Sequence, residues 1–149
     1  MTVTAPGPIP WIPGAVRQLL LADPAFVTAC GNRLMTRLSS TVTFCAQLRA
    51  PGLNSLSGDG VAWSPLVQVD GWCAPGIPDT DPEVKAWEIA AHAARVLGRA
   101  RNVTYQNMTY SGRLIEGPIP DVDTSRGEST PLYRAIVRAE LAVHVGAAL

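Results

Sequence analysis

From Leu132 to Val145 the sequence reads LYRAIVRAELAVHV, and from Tyr133 onward its side chains alternate without a break. Tyr133, Ala135, Val137, Ala139, Leu141, Val143 and Val145 fall on one side, and Arg134, Ile136, Arg138, Glu140, Ala142 and His144 on the other. A period of two is the mark of a β-strand with one face on a core and the other toward water. At ~3.3 Å per residue it would run roughly 45 Å, so a bend or bulge is expected within it. Such a strand cannot stand alone. It requires neighbouring strands and an apolar layer over one face.

Residues 82–99, PEVKAWEIAAHAARVLGR, supply that layer as a helix. Asp79-Thr80-Asp81-Pro82-Glu83 is a helix-start cluster, in which Thr80 can cap with Glu83, or Asp81 can cap with Pro82 first in the helix. Lys85, Glu88, His92, Arg95 and Arg99 recur at helical spacing and form one polar stripe. Ala86, Trp87, Ala90, Ala93, Ala94 and Leu97 cover much of the rest, and small alanines let a helix lie close on a sheet. Leu66–Cys73 (LVQVDGWC), Thr41–Arg49 and Val103–Tyr110 read as further strands. Gly14–Ala22 reads as a short helix with Val16, Leu19 and Leu20 on one face. Asp23-Pro24 then opens a further turn through Phe26 and Val27, ended by Gly31-Asn32.

Three segments read otherwise. Residues 1–13 carry Pro6, Pro8, Pro10 and Pro13 around Trp11 and Ile12, which predicts an extended arm. Residues 50–65 and 111–131 are rich in Gly, Pro, Ser and Asp and read as long loops. The expectation is an α+β fold: a mixed or antiparallel β-sheet packed against one long and one short α-helix. Residues 14–149 form its single domain behind the arm at 1–13.

The chain has 149 residues, enough for one core without a metal or disulfide staple. Apolar residues make up 47% and charged residues only 16%, more apolar surface than one core requires, which hints at oligomerisation. Twelve Lys+Arg balance twelve Asp+Glu. That neutrality lacks the electrostatic footprint of an autonomous nucleic-acid binder. Of the cations only Lys85 is a lysine. Arginine dominance favours fixed bidentate contacts such as those between subunits, and a GC-rich genome explains it equally well.

Cys30, Cys45 and Cys73 form neither a zinc signature nor a disulfide framework, and two histidines leave little for a metal site. The acidic residues Asp121, Asp123 and Glu128 lack the ligand spacing of a calcium loop. No Walker, GxGxxG or GxSxG pattern occurs. MTVTAPGPIPWIPG has neither the charged region nor the apolar region of a signal peptide, and no run approaches a membrane span. The expectation is a soluble, non-enzymatic protein of a reducing cytoplasm, without cofactor, metal or membrane partner. The competing chemical reading makes Cys73 a nucleophile and His92 its base, in a small cysteine-dependent hydrolase. Cys73 precedes the helix by eight residues, too far for the helix N-terminus to activate it locally, so packing is the expected role.

The order of segments is itself informative. IPGAVRQLLLADPAFVTACG leads to Asn32-Arg33 and a strand; VQVDGWC, a Pro/Asp turn and EVKAWEIAAHAARVL follow, and LYRAIVRAELAV closes. Over residues 12–145 this order resembles the tail terminator proteins of long-tailed bacteriophages. These are also called tail-to-head joining or tail completion proteins, and they include minor tail proteins of mycobacteriophage-like genomes. The resemblance lies in order and spacing, since each motif alone is common.

The resemblance implies a virion protein of the tail and neck, assembled in the host bacterial cytoplasm. It would form a homohexameric ring that caps the tail tube protein, stops tube polymerisation and meets a head-side connector or stopper protein. DNA would pass through the lumen without specific binding. Candidate interface residues are Trp11 and Ile12 of the arm; Lys85, Glu88, Arg95 and Arg99 of the helix stripe; Asp121, Asp123 and Arg126 of the second loop; and Arg134, Arg138 and Glu140 of the last strand. The helix stripe is expected to meet the acidic 121–128 loop of the next subunit. An alternative in the same structural class is another neck component, such as a head-completion or connector protein.

Overall fold

The last strand is the spine of the sheet. In the computed structural model, which describes residues 5–39, 42–53, 56 and 58–147, it spans Leu132–Val145 as expected. The chain runs α1 (Ile12–Leu21), α2 (Pro24–Cys30), β1 (Leu34–Met35), β2 (Phe44–Gly52), β3 (Ala62–Trp63), β4 (Leu66–Cys73), α3 (Pro82–Arg99), β5 (Val103–Tyr105), β6 (Met108–Asp123) and β7 (Leu132–Val145). One seven-stranded sheet holds every strand in the order β1-β2-β4-β7-β6-β5, with β3 also paired to β7. Among the described residues only β1 runs parallel to its neighbour. The fold is mixed α+β.

The three helices pack on one face. Ala135, Val137, Ala139, Leu141, Val143 and Val145 of β7 are buried, as are Val67 and Val69 of β4 and Ala46 and Leu48 of β2. They meet Ile89, Ala90, Ala93 and Leu97 of α3, Val16 and Leu20 of α1 and Phe26 of α2 in one cluster. α3 lies very close to the sheet because glycines let it: a Cβ on Gly71 would collide with the Ala86 carbonyl, and one on Gly112 with the Leu97 carbonyl. Asp81 caps α3, accepting from the Glu83 and Val84 amides at 3.0 and 3.4 Å, with Pro82 in the first turn.

Several expectations change. The loop foreseen at 111–131 is strand as far as Asp123, and only 124–131 turns back to β7. Two register shifts explain the misreading: the pairing slips between Leu114 and Glu116 and again between Glu116 and Ile119, breaking the alternation. Irregularity thus falls in β6, while β7 pairs continuously with β4 from Leu66↔Glu140 to Cys73↔Tyr133. The extended arm ends at Trp11, and Ile12 and Pro13 belong to the first turn of α1. The turn after Asp23 is a second short helix, and β1 and β3 are additional short strands. β2 starts at Phe44 and ends at Gly52, later than the alternation suggested. Residues 1–4 of the expected arm, Thr41 of the expected strand, and 54, 55 and 57 of the first expected loop lie outside the described residues.

Candidate functional site

The sheet face away from the helices carries an organised charge lattice. Its centre is Asp70, on the polar side of β4 and fully buried. Asp70 accepts from Arg49 Nη2 at 2.8 Å and from Gln68 Nε2 at 3.0 Å, with Arg134 Nη1 at 4.0 Å. Arg134 also pairs with Asp121, and its guanidinium lies 5.0 Å from the centre of the Trp72 ring. Arg138 donates to Gln68 Oε1 at 3.0 Å and pairs with Glu116. Arg113 reaches Glu140 at 3.2 Å.

Strand register makes this lattice. Arg49 stands opposite Gln68 across β2–β4, and Gln68 opposite Arg138 across β4–β7. Across β6–β7 the opposed pairs are Arg113↔Glu140, Glu116↔Arg138 and Asp121↔Arg134. Opposite charges facing each other across a ladder attract at short range. Arg49, Arg113, Arg134 and Arg138 are matched by Asp70, Glu116, Asp121 and Glu140, so these residues sum to zero. A buried carboxylate is tolerable only when paired and hydrogen-bonded, and Asp70 meets both conditions.

At one end this face has its own small core. Cys45, Trp72 and Leu132 are buried beneath Met35, Leu38 and Val42, and Trp72 Nε1 donates to Gln47 Oε1 at 3.1 Å. The 124–131 turn reaches the same end through Arg126 Nη2, which donates to the Ser39 carbonyl at 2.8 Å.

A different surface lies along β6. β5 covers only Met108–Tyr110 of its outer edge. Gly112 is served by the Ala100 carbonyl and by Arg101 Nη1, at 2.9 and 2.8 Å. From Arg113 to Asp123 no strand among the described residues pairs with that edge. Leu114, Ile115, Ile119 and Val122 are 40–47% exposed along it, and Trp87 of α3 is 45% exposed. Gly98 approaches Leu114, and Glu83 lines a recess with Pro120 and Val122, so Trp87 lies on the α3 side that follows β6. The bulges and prolines of this edge, Pro118 and Pro120, oppose the addition of another strand. What it offers is side-chain contact.

The anticipated interface residues divide among these surfaces. Arg134, Arg138, Glu140 and Asp121 meet on the lattice face, each with a partner in its own chain. Ile12 is corrected outright: it is a core residue, while Trp11 beside it is 65% exposed. Arg95 is clasped by Asp23 at 2.7 and 3.0 Å, tying α3 to the cap of α2. That hydrogen bonding, with help from the Phe26 amide, holds the Asp23 carboxyl down to about 2. Lys85 sits 4.7 Å from the centre of the Phe44 ring, and Glu88 and Arg99 are exposed. Asp123 accepts from the Ser125 amide at 2.8 Å, which lowers its carboxyl pKa. Of the helix stripe and acidic segment, then, Arg95 and Asp121 already have ion-pair partners in their own chain.

Cys73 lies in the main core, fully buried, and burial pushes its thiol pKa up. Its Sγ donates to the Ala74 carbonyl at 3.4 Å, whereas His92 Nδ1 contacts Arg95 at 3.2 Å. Neither feature makes a thiolate nucleophile with a base beside it. One further recess, about 350 Å³, is an open one lined by Trp63, Asn102, Thr109, Ser111 and His144 among others. Ser111 Oγ there accepts from the Asn102 amide at 3.0 Å. Among the described residues no three His, Cys, Asp or Glu side chains group to hold a metal ion.

No protein-family model matches the sequence, and no curated protein does. The surfaces themselves are therefore what bears on function. No helix among the described residues is long and apolar enough to cross a membrane. The centre of the lattice, Asp70, was not singled out by sequence reasoning. Its signal was a carboxylate in the middle of an alternating strand, on the side opposite Val67 and Val69.

Proposed function

We propose that the protein is a structural subunit of a long-tailed bacteriophage, a tail terminator whose copies close into a hexameric ring on the tail tube. The observation that carries this is the free β6 edge with its apolar side chains, an unfinished surface on an otherwise well-packed fold. Exposed apolar patches of this kind mark interaction sites. A closed ring needs two different faces of one subunit to meet around a rotation axis, and an edge that discourages strand addition favours a defined docked contact over open-ended fibres.

The lattice face suits the other requirement. Its charges cancel locally, so a lumen lined by it would give DNA little counterion-release reward for sticking. The ring would halt tube growth from one rim and offer the other to the head-side connector. The test is mass measurement by light scattering, with the chain alone and mixed with tail-tube protein. A ring of defined copy number that binds tube ends is expected. A chain that stays monomeric in both conditions and leaves tube growth unchanged overturns the proposal.

A further inference from the structure

Two Asp-Gly steps occur in the chain, Asp59-Gly60 and Asp70-Gly71, and the fold treats them in opposite ways. The dipeptide matters chemically. When glycine follows an aspartate, no side chain shields the glycine nitrogen, and the backbone turns freely enough for that nitrogen to reach the aspartate's own carboxyl carbon. Attack there closes a cyclic imide, a succinimide.

Asp59-Gly60 is open to this reaction. Both residues lie in the bend that leads into β3, and Asp59 is exposed. The Val61 amide donates to Asp59 Oδ1 at 3.0 Å, so the carboxyl is folded forward along the chain, over the peptide that carries the Gly60 nitrogen. The same donor sits where negative charge develops on that oxygen during attack. Gly58 and Gly60 have φ of +70° and +79°, and a Cβ on either would meet nothing within 4 Å, so the bend has room to rearrange.

Asp70-Gly71 is the internal control. Asp70 is fully buried and held by Arg49 and Gln68, and both residues sit in the ladders that join β4 to β2 and β7. Gly71 lies under α3, where a Cβ would collide with the Ala86 carbonyl. Ring closure there needs a main-chain rotation that breaks both ladders.

We propose that Asp59-Gly60 is a site of spontaneous isoaspartate formation, and that the reaction loosens β3. The Gly60 nitrogen bonds to the Asp59 carboxyl carbon as one molecule of water leaves, and water then opens the imide at either carbonyl. Opening at the side-chain carbonyl restores aspartate. Opening at the main-chain carbonyl leaves the chain running through Cβ and Cγ, one carbon longer, with the former main-chain carbonyl as a free carboxylate. Water is the only co-reactant. The added carbon falls just ahead of the groups that seat β3. The Gly60 carbonyl accepts from Trp63 Nε1 at 2.9 Å and the Val61 carbonyl from the Val145 amide at 2.8 Å, while Ala62 and Trp63 pair with His144 and Val143. β3 is two residues long, so little resists a shift in its approach.

Ageing the folded protein tests this. Wild type, Asp59→Glu and wild type unfolded in guanidinium chloride are held for weeks at physiological temperature and mildly acid pH. The water is enriched in heavy oxygen, which leaves one solvent oxygen in every residue that has passed through the imide. Peptide mapping with electron-transfer fragmentation reads isoaspartate and label at Asp59 and Asp70. In the folded protein Asp59 should convert about tenfold or more faster than Asp70, since a surface bend opens at almost no cost and a central strand only with the fold. In the unfolded sample the two should convert at similar rates. Asp59→Glu, which would have to close a larger ring, should stay unmodified at that position. Hydrogen exchange of the Val145 amide should quicken in aged wild type and not in aged Asp59→Glu. Folded wild type that gains no isoaspartate at Asp59, or gains it equally at Asp59 and Asp70, overturns the site. Isoaspartate at Asp59 with Val145 exchange unchanged overturns the link to β3.

Discussion

At the scale of single residues, Asp70 and Asp23 show how carboxylates are used inside this fold. Asp70 is fully buried, and replacing it removes the acceptor for Arg49 and strands the Gln68 amide. Asp70→Ala should cost about 1–3 kcal/mol, because it leaves the buried Gln68 amide without its acceptor, while Arg49, 45% exposed, can turn to water. Asp70→Asn, which keeps an acceptor oxygen, should cost less; urea unfolding of both variants measures the difference. Asp23 combines two duties, accepting from the Phe26 amide at 2.9 Å and from Arg95. Loss of the cap in Asp23→Ala should cost about 1 kcal/mol at neutral pH. Its carboxyl is depressed in the fold from an ordinary 3.8 to about 2. Its contribution is therefore complete above pH 3.8 and drains away as the pH falls through about 2. The stability gap between wild type and Asp23→Ala should close over that interval, which urea midpoints at a series of acid pH values will show. A gap independent of pH would place the effect of Asp23 outside its charge.

At the scale of elements, the sequence was most readable where one periodicity ran unbroken. β7 announced itself by alternation, and α3 by its cap, its polar stripe and its alanines. β6 did not, although it is the longest strand. Gly117, Pro118 and Pro120 imitate a loop, and two bulges shift the facing of the residues after Leu114. Only the neighbouring strand resolves them: Glu116 and Asp121 find Arg138 and Arg134 across the ladder, which no linear pattern could reveal. The glycines under α3 show the same dependence on context. A methyl group on Gly112 would strike the Leu97 carbonyl, so Gly112→Ala should lift the helix and destabilise the protein by about 1–3 kcal/mol. Gly98 sits within α3, and an added Cβ meets nothing nearer than Leu114 at 3.9 Å. Gly98→Ala should therefore stabilise by roughly 0.5–1 kcal/mol through better helix propensity. Opposite shifts in thermal midpoint for these two alanines would verify that α3 is seated on the sheet through Gly112.

At the scale of the whole molecule, the lattice face is neutral because its charges are matched across strands. Disturbing the lattice should alter how the face meets polyanions. Glu116→Gln with Asp121→Asn removes the carboxylates opposite Arg138 and Arg134, leaving 12 cations against 10 acids where the native chain has 12 of each. If this face lines a path for DNA, the native protein should pass through a duplex-DNA column at about 0.15 M salt, consistent with weak counterion release from a neutral surface. The double variant should be retained, and retention should weaken with salt by a slope of about 0.9 for each arginine that engages a phosphate. The salt dependence separates freed arginines from a nonspecific effect of unfolding, which circular dichroism at the same salt checks independently. Equal passage of both proteins would mean that the lattice holds the sheet together without governing what moves past it.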